Sequence, residues 1–468
     1  MKFRLAYFGK EFLRVFFARL PSRLHWVFLL CATPLVIFLA LWTPPFQVAD
    51  EFAHFDRAWQ VAQGQLYPTV GGSIDKGADQ VNAYVADLPF NTRARFTSAD
   101  RAGAEAVRWT GLLAYRGFPN TGICAPTGYL PQALGIAIGK AVGMGVMRTI
   151  VLARLFNGAF AILVCALALY WSRSGKVLMF AMLLLPMTLS LFASLSQDAT
   201  LIALTCLAFA VISKQIETGA PLSLPLTAVL ALSLLIVSLG RPPYTALLPA
   251  LLTPGLFVRW RKKPSRLPGA ILAGLSAVMV LVWWLSAYAS TRAFAHPGAA
   301  NGAVDAKMQL LNLFRHPGIV ATLAGYAASH AAEYIAGMIG FLGWLDTLMP
   351  APYYLVMLLV LLAACIAELN RCDKTKKSAT VLLLFSPLAA IAAVFLIEYL
   401  IWTPVGAQAI FGVQGRYLIP PVIAAGVGLP HLANSARTYQ AATAVVVLSQ
   451  LLTFVCLPQV IMARYYLP

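Results

Sequence analysis

Eleven apolar runs divide this chain from end to end: residues 24–42, 149–170, 177–195, 199–213, 222–240, 244–258, 268–288, 352–367, 378–399, 417–433 and 441–459. Many approach the roughly 20 residues that a helix needs to cross a bilayer. A soluble domain of 468 residues, 60% of them hydrophobic and 11% charged, has no interior large enough to hide that surface. The pattern predicts an all-α polytopic membrane protein, a bundle of about 11–12 transmembrane helices.

In a soluble protein the formal charge of +18 would point to nucleic acid. Here the basic residues sit in short loops between apolar runs, as membrane insertion requires, and no nucleic-acid partner is expected. Cys31, Cys165, Cys206, Cys365 and Cys456 fall in apolar runs, where small buried hydrophobes are the ordinary reading. Cys124 and Cys372 share no loop and there is no CxxC, so neither a zinc nor a disulfide scaffold is expected.

Lys2, Arg4, Lys10, Arg14, Arg19 and Arg23 precede the first run, which ends in Leu41-Trp42-Thr43-Pro44-Pro45 without a small-residue cleavage site. Residues 1–23 therefore read as a cytoplasmic interfacial helix, and 24–468 as the transmembrane domain. Further cytoplasmic signals are Arg259, Arg261, Lys262 and Lys263 with Arg266, and Arg371 with Lys374, Lys376 and Lys377. Arg173 with Lys176, Lys214, and Arg437 are weaker ones. Threading the runs through these loops puts every one of them inside and the C-terminus outside. Residues 127–146 would break that alternation if they crossed. They carry Lys140 and Gly128, Gly135, Gly139 and Gly143, and are expected to form a juxtamembrane or re-entrant helix buried against protein. The outer side then consists of a long polar loop at 44–125, a second at 290–350 and a short third at 400–416. No transporter-type repeat relates the two halves.

Five polar motifs fall on that outer side. They are Asp50-Glu51 with His54, Ser196-Gln197-Asp198, Arg241-Pro242-Pro243-Tyr244, Gly343-Trp344-Leu345-Asp346-Thr347, and Gln414-Gly415-Arg416-Tyr417. Scattered structural polars have no reason to choose one face, so the convergence points to a single extracytoplasmic site. Carboxylates beside hydrocarbon are costly and mark functional sites by default. Asp50 also fits the N-cap of a helix through 51–63 that stops at Gly64, with Phe52, Phe55, Trp59 and Ala62 as an interfacial apolar stripe. Asp50 and Glu51 are each spaced to neighbour His54 on that helix. Asp198 fits either a hairpin tip capping the next helix or a site acid. Arg241 and Arg416 run against the positive-inside bias and ask for an anion, either a lipid headgroup or the phosphate of a substrate. Trp344 and Asp346 equally fit an interfacial anchor. His296, His316 and His330 match no metal spacing. If a divalent cation such as Mg or Mn were used, Asp50, Glu51 and His54 would hold it, but the sequence demands none.

As a set, Pro-Pro-x(4)-Asp-Glu-x-x-His at 44–54, Ser-x-Ser-Gln-Asp at 194–198, Arg-Pro-Pro-Tyr at 241–244, Gly-Trp-Leu-Asp-Thr at 343–347 and Gln-Gly-Arg-Tyr at 414–417 are distinctive. They resemble a bacterial family of predicted membrane proteins, domain of unknown function 2142, over about residues 26–458. More distantly, the architecture is similar to the GT-C glycosyltransferases, such as protein mannosyltransferases and the aminoarabinose transferase of lipid A. Those carry acidic residues just after the first span, have juxtamembrane helices, and use polyprenyl-phosphate-linked sugars outside the cytoplasmic membrane.

That resemblance implies a catalytic acid at Asp50, with Glu51 beside it. The other motifs take roles by our own inference: Arg416 and Arg241 stabilise a departing phosphate, and His54, Asp198, Tyr244, Trp344, Asp346, Gln414 and Tyr417 bind substrate. The expected activity is inverting transfer of a sugar from a polyprenyl-phosphate-linked donor to a cell-envelope glycan or lipid-linked acceptor, in the bacterial inner membrane. Membrane lipids are the other expected partners. The second outer region has no separate soluble domain, which argues against a peptide acceptor. A transporter or flippase for a lipid-linked saccharide, and a non-catalytic scaffold of envelope assembly, are the alternatives. A transporter should show charges or helix breaks near the midplane and on both faces, whereas this chain concentrates them outside.

Overall fold

The computed structural model describes residues 20–257, 259–260, 263–291, 304–370, 377–430, 432 and 435–467. Most of the interfacial helix expected at the N-terminus, the basic residues Arg261, Lys262, Arg371, Lys374 and Lys376, and His296 lie outside the described residues. The described chain is helical, with three two-stranded sheets as its only strand pairings. Seven helices among the described residues are long and apolar enough to cross a membrane: Leu20–Trp42, Val146–Trp171, Asp198–Thr218, Leu267–Ser290, Ala351–Leu369, Ala379–Ile401 and Ala436–Tyr465. The protein is an all-α, multi-pass membrane protein.

Four of the eleven apolar runs take other forms, three of them because of proline. Run 177–195 is two short helices, Lys176–Leu183 and Pro186–Phe192. Pro186 has no N–H to donate back and restarts the helix at its first turn. Run 244–258 becomes a tight 3-10 helix, Pro242–Leu252, with Pro249 inside it. Run 417–433 becomes a 3-10 turn, Gly415–Leu418, followed by the ten-residue helix Ile419–Gly428, which opens on Pro420 and Pro421. Run 222–240 is a helix of 17 residues, Leu224–Gly240. Proline does not act alone, since Pro34, Pro387 and Pro458 lie inside helices long enough to span.

Residues 127–146 form a 3-10 turn and then the 12-residue helix Leu130–Ala141. At ~1.5 Å per residue that helix is about 18 Å long, well short of a hydrocarbon core of about 30 Å. It lies along Val146–Trp171 at close quarters. A Cβ added at Gly135 would stand 2.5 Å from the Ala153 Cα, so only glycine permits the approach.

Asp198–Thr218 is the central helix, with 83% of its most apolar window buried, whereas for Leu267–Ser290 the share is 17%. The central helix defines two ends. At its C-terminal end, the Ser213 hydroxyl accepts the N–H groups of Arg173 and Ser174, and the Glu368 carboxylate accepts those of Gly175 and Val177. This ties the Arg173–Lys176 turn to the ends of two spanning helices. Four of the five polar motifs gather round its N-terminal end, and the fifth, 343–347, borders the same cleft.

Residues 44–125 are folded rather than a solvated loop. An antiparallel pair joins Gly71–Asp75 to Leu113–Gly117, in register from Gly71↔Gly117 to Asp75↔Leu113. The helix Glu51–Ala62 runs through the middle of this region. Phe55 and Trp59 are buried in the core, and so are Glu51, His54, Asp56, Arg57 and Gln60 on its polar side. The helix is enclosed by protein and does not lie on the membrane interface.

Candidate functional site

Asp50 occupies the N-cap position of the Glu51–Ala62 helix without capping it. Its backbone is left-handed, at φ 63° and ψ 6°, an uncommon state for a residue with a Cβ and one that clusters at functional sites. The turn swings the carboxylate away from the helix N–H groups and towards Arg416, whose Nη2 donates to Asp50 Oδ2 at 2.5 Å. The Ala49 carbonyl accepts from the other terminal nitrogen of the same guanidinium at 3.0 Å.

From Arg416 the charges continue in alternation. Arg416 Nε stands 3.7 Å from Asp198 Oδ2, and Asp198 Oδ1 accepts from Arg241 at 2.8 Å. The Tyr417 ring lies under the Arg241 guanidinium at 3.9 Å, and the Tyr244 hydroxyl donates to the Tyr417 carbonyl at 2.9 Å. Four segments more than 300 residues apart at the extremes thus meet in one Asp50–Arg416–Asp198–Arg241 chain. Asp50 is its open end, with 33% of its side chain exposed against 3% for Arg416 and 6% for Asp198. Burial works to raise the Asp50 carboxyl, but the charge and hydrogen bond of Arg416 outweigh it and hold the group below the usual carboxylate range.

Local features explain how each member is held. The non-helical turn before Asp198 is braced by Asn157, which donates to the carbonyls of Ser194 and Ser196, and by Gln132, which also donates to Ser196. Gly415 lets Arg416 in: a Cβ there would stand 2.2 Å from the Met338 backbone nitrogen.

Glu51, His54, Trp344 and Asp346 each have partners within the fold. Glu51 is fully buried and bound on both oxygens by Arg154, at 2.8 Å and 2.6 Å, with the Leu195 N–H as a third donor. Both of its oxygens are thus taken up within the fold. Arg154 was not legible as a site residue by motif, but a lone arginine in an apolar run is a signal by itself. Its guanidinium also caps the carbonyls of Ala40, Thr43 and Pro44, where the first span ends.

Asp50, Glu51 and His54 form no shared cation site. Each faces a different partner, and no three such groups converge among the described residues. His54 bonds Tyr129 through Nδ1 and Ser196 through Nε2. Ser196 Oγ in turn accepts the Asp198 N–H, so the ring braces the Asp198 turn.

Trp344 and Asp346 are held in a hairpin rather than an interfacial helix. Asp346 accepts from Arg464, from the Phe90 and Trp344 N–H groups and from the Thr347 hydroxyl. The Trp344 indole donates to the Phe46 carbonyl. Together they fix a tight hairpin, Phe341–Leu342 against Thr347–Leu348, whose turn holds Leu345 at φ 66°. That hairpin walls a narrow crevice of about 10 Å³ which Val48, Met187, Phe341, Leu342 and Leu345 line, with Arg416 also on its wall. A larger groove of about 230 Å³, lined by Leu41, Met147, Val151 and Leu155, lies elsewhere and holds none of the candidate residues.

Burial pushes the His54 ring down to about 4, against the pull of the Asp198 and Asp50 carboxylates, so it is neutral near pH 7. In the unfolded chain an imidazole binds its proton near pH 6.5. As pH falls, the unfolded state is therefore protonated first. The stabilisation is complete above about pH 6.5 and is lost between there and about pH 4. The melting temperature in detergent should fall over that window, and His54→Asn should flatten the fall. An equal slope in the variant would remove His54 as its source.

A multi-span helical membrane protein with a buried chain of alternating carboxylates and guanidiniums at one end of its bundle is the class these observations define. Residues 34–424 match the family described as predicted membrane protein (DUF2142), and the chain belongs to that family. No curated protein and no solved structure matches it.

Proposed function

We propose that this protein is a membrane glycosyltransferase of the GT-C kind, moving a sugar from a polyprenyl-phosphate-linked donor to a glycan or lipid-linked acceptor of the bacterial envelope, outside the inner membrane. The observation that carries this reading is Arg416, a buried guanidinium paired with the partly exposed Asp50 and bordered by apolar side chains. A ligand that answers both features is a phosphate on a hydrocarbon chain, and guanidinium is well suited to grip that phosphate. The alternation of basic loops supports the outer placement.

In this reading the donor phosphate displaces Asp50 from Arg416. Freed from that pair, the Asp50 carboxylate regains ordinary basicity and takes the proton of the acceptor hydroxyl. The acceptor oxygen bonds the anomeric carbon from the side opposite the phosphate. The carbon–oxygen bond to the phosphate breaks, and the polyprenyl phosphate leaves with the electron pair, its charge carried by Arg416 and Arg241. A single displacement inverts the anomeric configuration.

The test is a membrane assay with donor lipid labelled in the sugar. The proposal predicts label in an envelope acceptor and release of unlabelled polyprenyl phosphate, both dependent on this protein. Movement of the intact labelled lipid between leaflets, with its sugar still attached, would instead establish the flippase reading.

A further inference from the structure

Glu398 belongs to none of the five motifs, yet it lies at the same place. It sits near the end of the helix Lys377–Ile401 and is 9% exposed. It lies within electrostatic reach of Arg241, Arg416 and Asp50. The turn that follows folds back over it: the Thr403 hydroxyl donates to the Glu398 carbonyl and accepts the Phe411 N–H. A Cβ at Gly412 would stand 2.7 Å from Glu398 Oε2, so glycine, here at φ 84°, keeps that oxygen clear. The same turn then delivers Gln414 and Arg416.

Glu398 Oε2 is buried without a hydrogen-bond partner among the described residues, and so is Gln414 Oε1. On the donor side, Arg241 Nε is likewise unbonded, whereas Arg416 Nε and Asp198 Oδ2 face each other at 3.7 Å. A buried polar atom left unpaired is costly, so such a set marks what a ligand must bring. The donors suit a phosphate. The acceptors cannot bind one, and they call for hydroxyl groups.

We infer that Glu398 binds a hydroxyl of the ligand's head group, so that the site reads a sugar as well as its phosphate. This rests on the lipid-phosphate reading given above and adds a specificity-determining residue to it. Arg241 and Arg416 hold the phosphate, and Glu398, with Gln414, accepts hydroxyl hydrogens beside it.

The experiment uses the purified full-length protein in detergent and two kinds of probe: farnesyl phosphate, and farnesyl-phosphoryl glucose, mannose and galactose. At least one sugar-bearing probe should bind about tenfold or more tightly than the bare phosphate, the scale of one hydrogen bond to a charged group. Glu398→Leu should remove most of that advantage and leave farnesyl phosphate binding in place. Glu398→Gln, which keeps an acceptor oxygen, should remove less, and thermal melting checks that both variants fold. Equal binding of bare and sugar-bearing probes, or an advantage untouched by Glu398→Leu, overturns the inference and leaves the lipid-phosphate reading standing. No binding of any probe overturns both.

Discussion

Glu51→Ala is expected to destabilise the protein by about 3–5 kcal/mol, the usual consequence of leaving one partner of a buried ion pair alone. That is a large part of the roughly 5–15 kcal/mol that holds a domain folded. The Arg154 guanidinium is 1% exposed and could not recover its lost partner from water. Arg154→Met should do similar damage by stranding the Glu51 carboxylate. The double variant Glu51→Leu with Arg154→Met should be more stable than either single one, because it removes both charges together. Its recovery should be incomplete, since Arg154 also satisfies the carbonyls of Thr43 and Pro44. Thermal unfolding of the four proteins in detergent measures this. Single variants as stable as the parent would mean that the pair does not hold the first span to the Asp50 turn.

Arg416→Ala should weaken binding of undecaprenyl phosphate by about 10²- to 10⁴-fold, since two charge-assisted hydrogen bonds of about 1.5–3 kcal/mol each are at stake. The control is the corresponding polyprenol, which has the chain without the phosphate. The parent protein should prefer the phosphate strongly, and Arg416→Ala should lose most of that preference. Arg416→Lys should recover only part of the preference, because an ammonium cannot span two phosphate oxygens in the same plane. Arg241→Ala should have a smaller effect, since its guanidinium is held by Asp198 and stacked on Tyr417. Equal affinity of parent and Arg416→Ala for undecaprenyl phosphate would remove this arginine from lipid recognition.

Much of the site was legible because its residues break the rules of their surroundings. Asp50, Asp198, Arg241 and Arg416 are charges at the ends of apolar runs, and they do meet in one network. What the sequence could not show was which neighbour each charge would choose. Asp50 and Glu51 are adjacent and chemically alike, but a left-handed backbone at Asp50 sends the two carboxylates to different arginines. Arg154 and Glu398 carry no motif, and only the packing of distant helices reveals what they serve. Seven of the runs were legible as spans, three of them with a proline, Pro34, Pro387 or Pro458, inside the helix. At 177–195, 244–258 and 417–433 composition predicted burial correctly, while Pro186, Pro249 and the Pro420-Pro421 pair set lengths that hydropathy does not report.

The most direct test of the account is sugar transfer by Asp50→Asn, measured beside the binding of undecaprenyl phosphate. The amide keeps the shape of the side chain and cannot accept the hydroxyl proton. Transfer should fall by about 10²- to 10⁴-fold, the usual contribution of a general base, while the variant stays folded and still binds the lipid phosphate. Full transfer activity in Asp50→Asn would contradict the account.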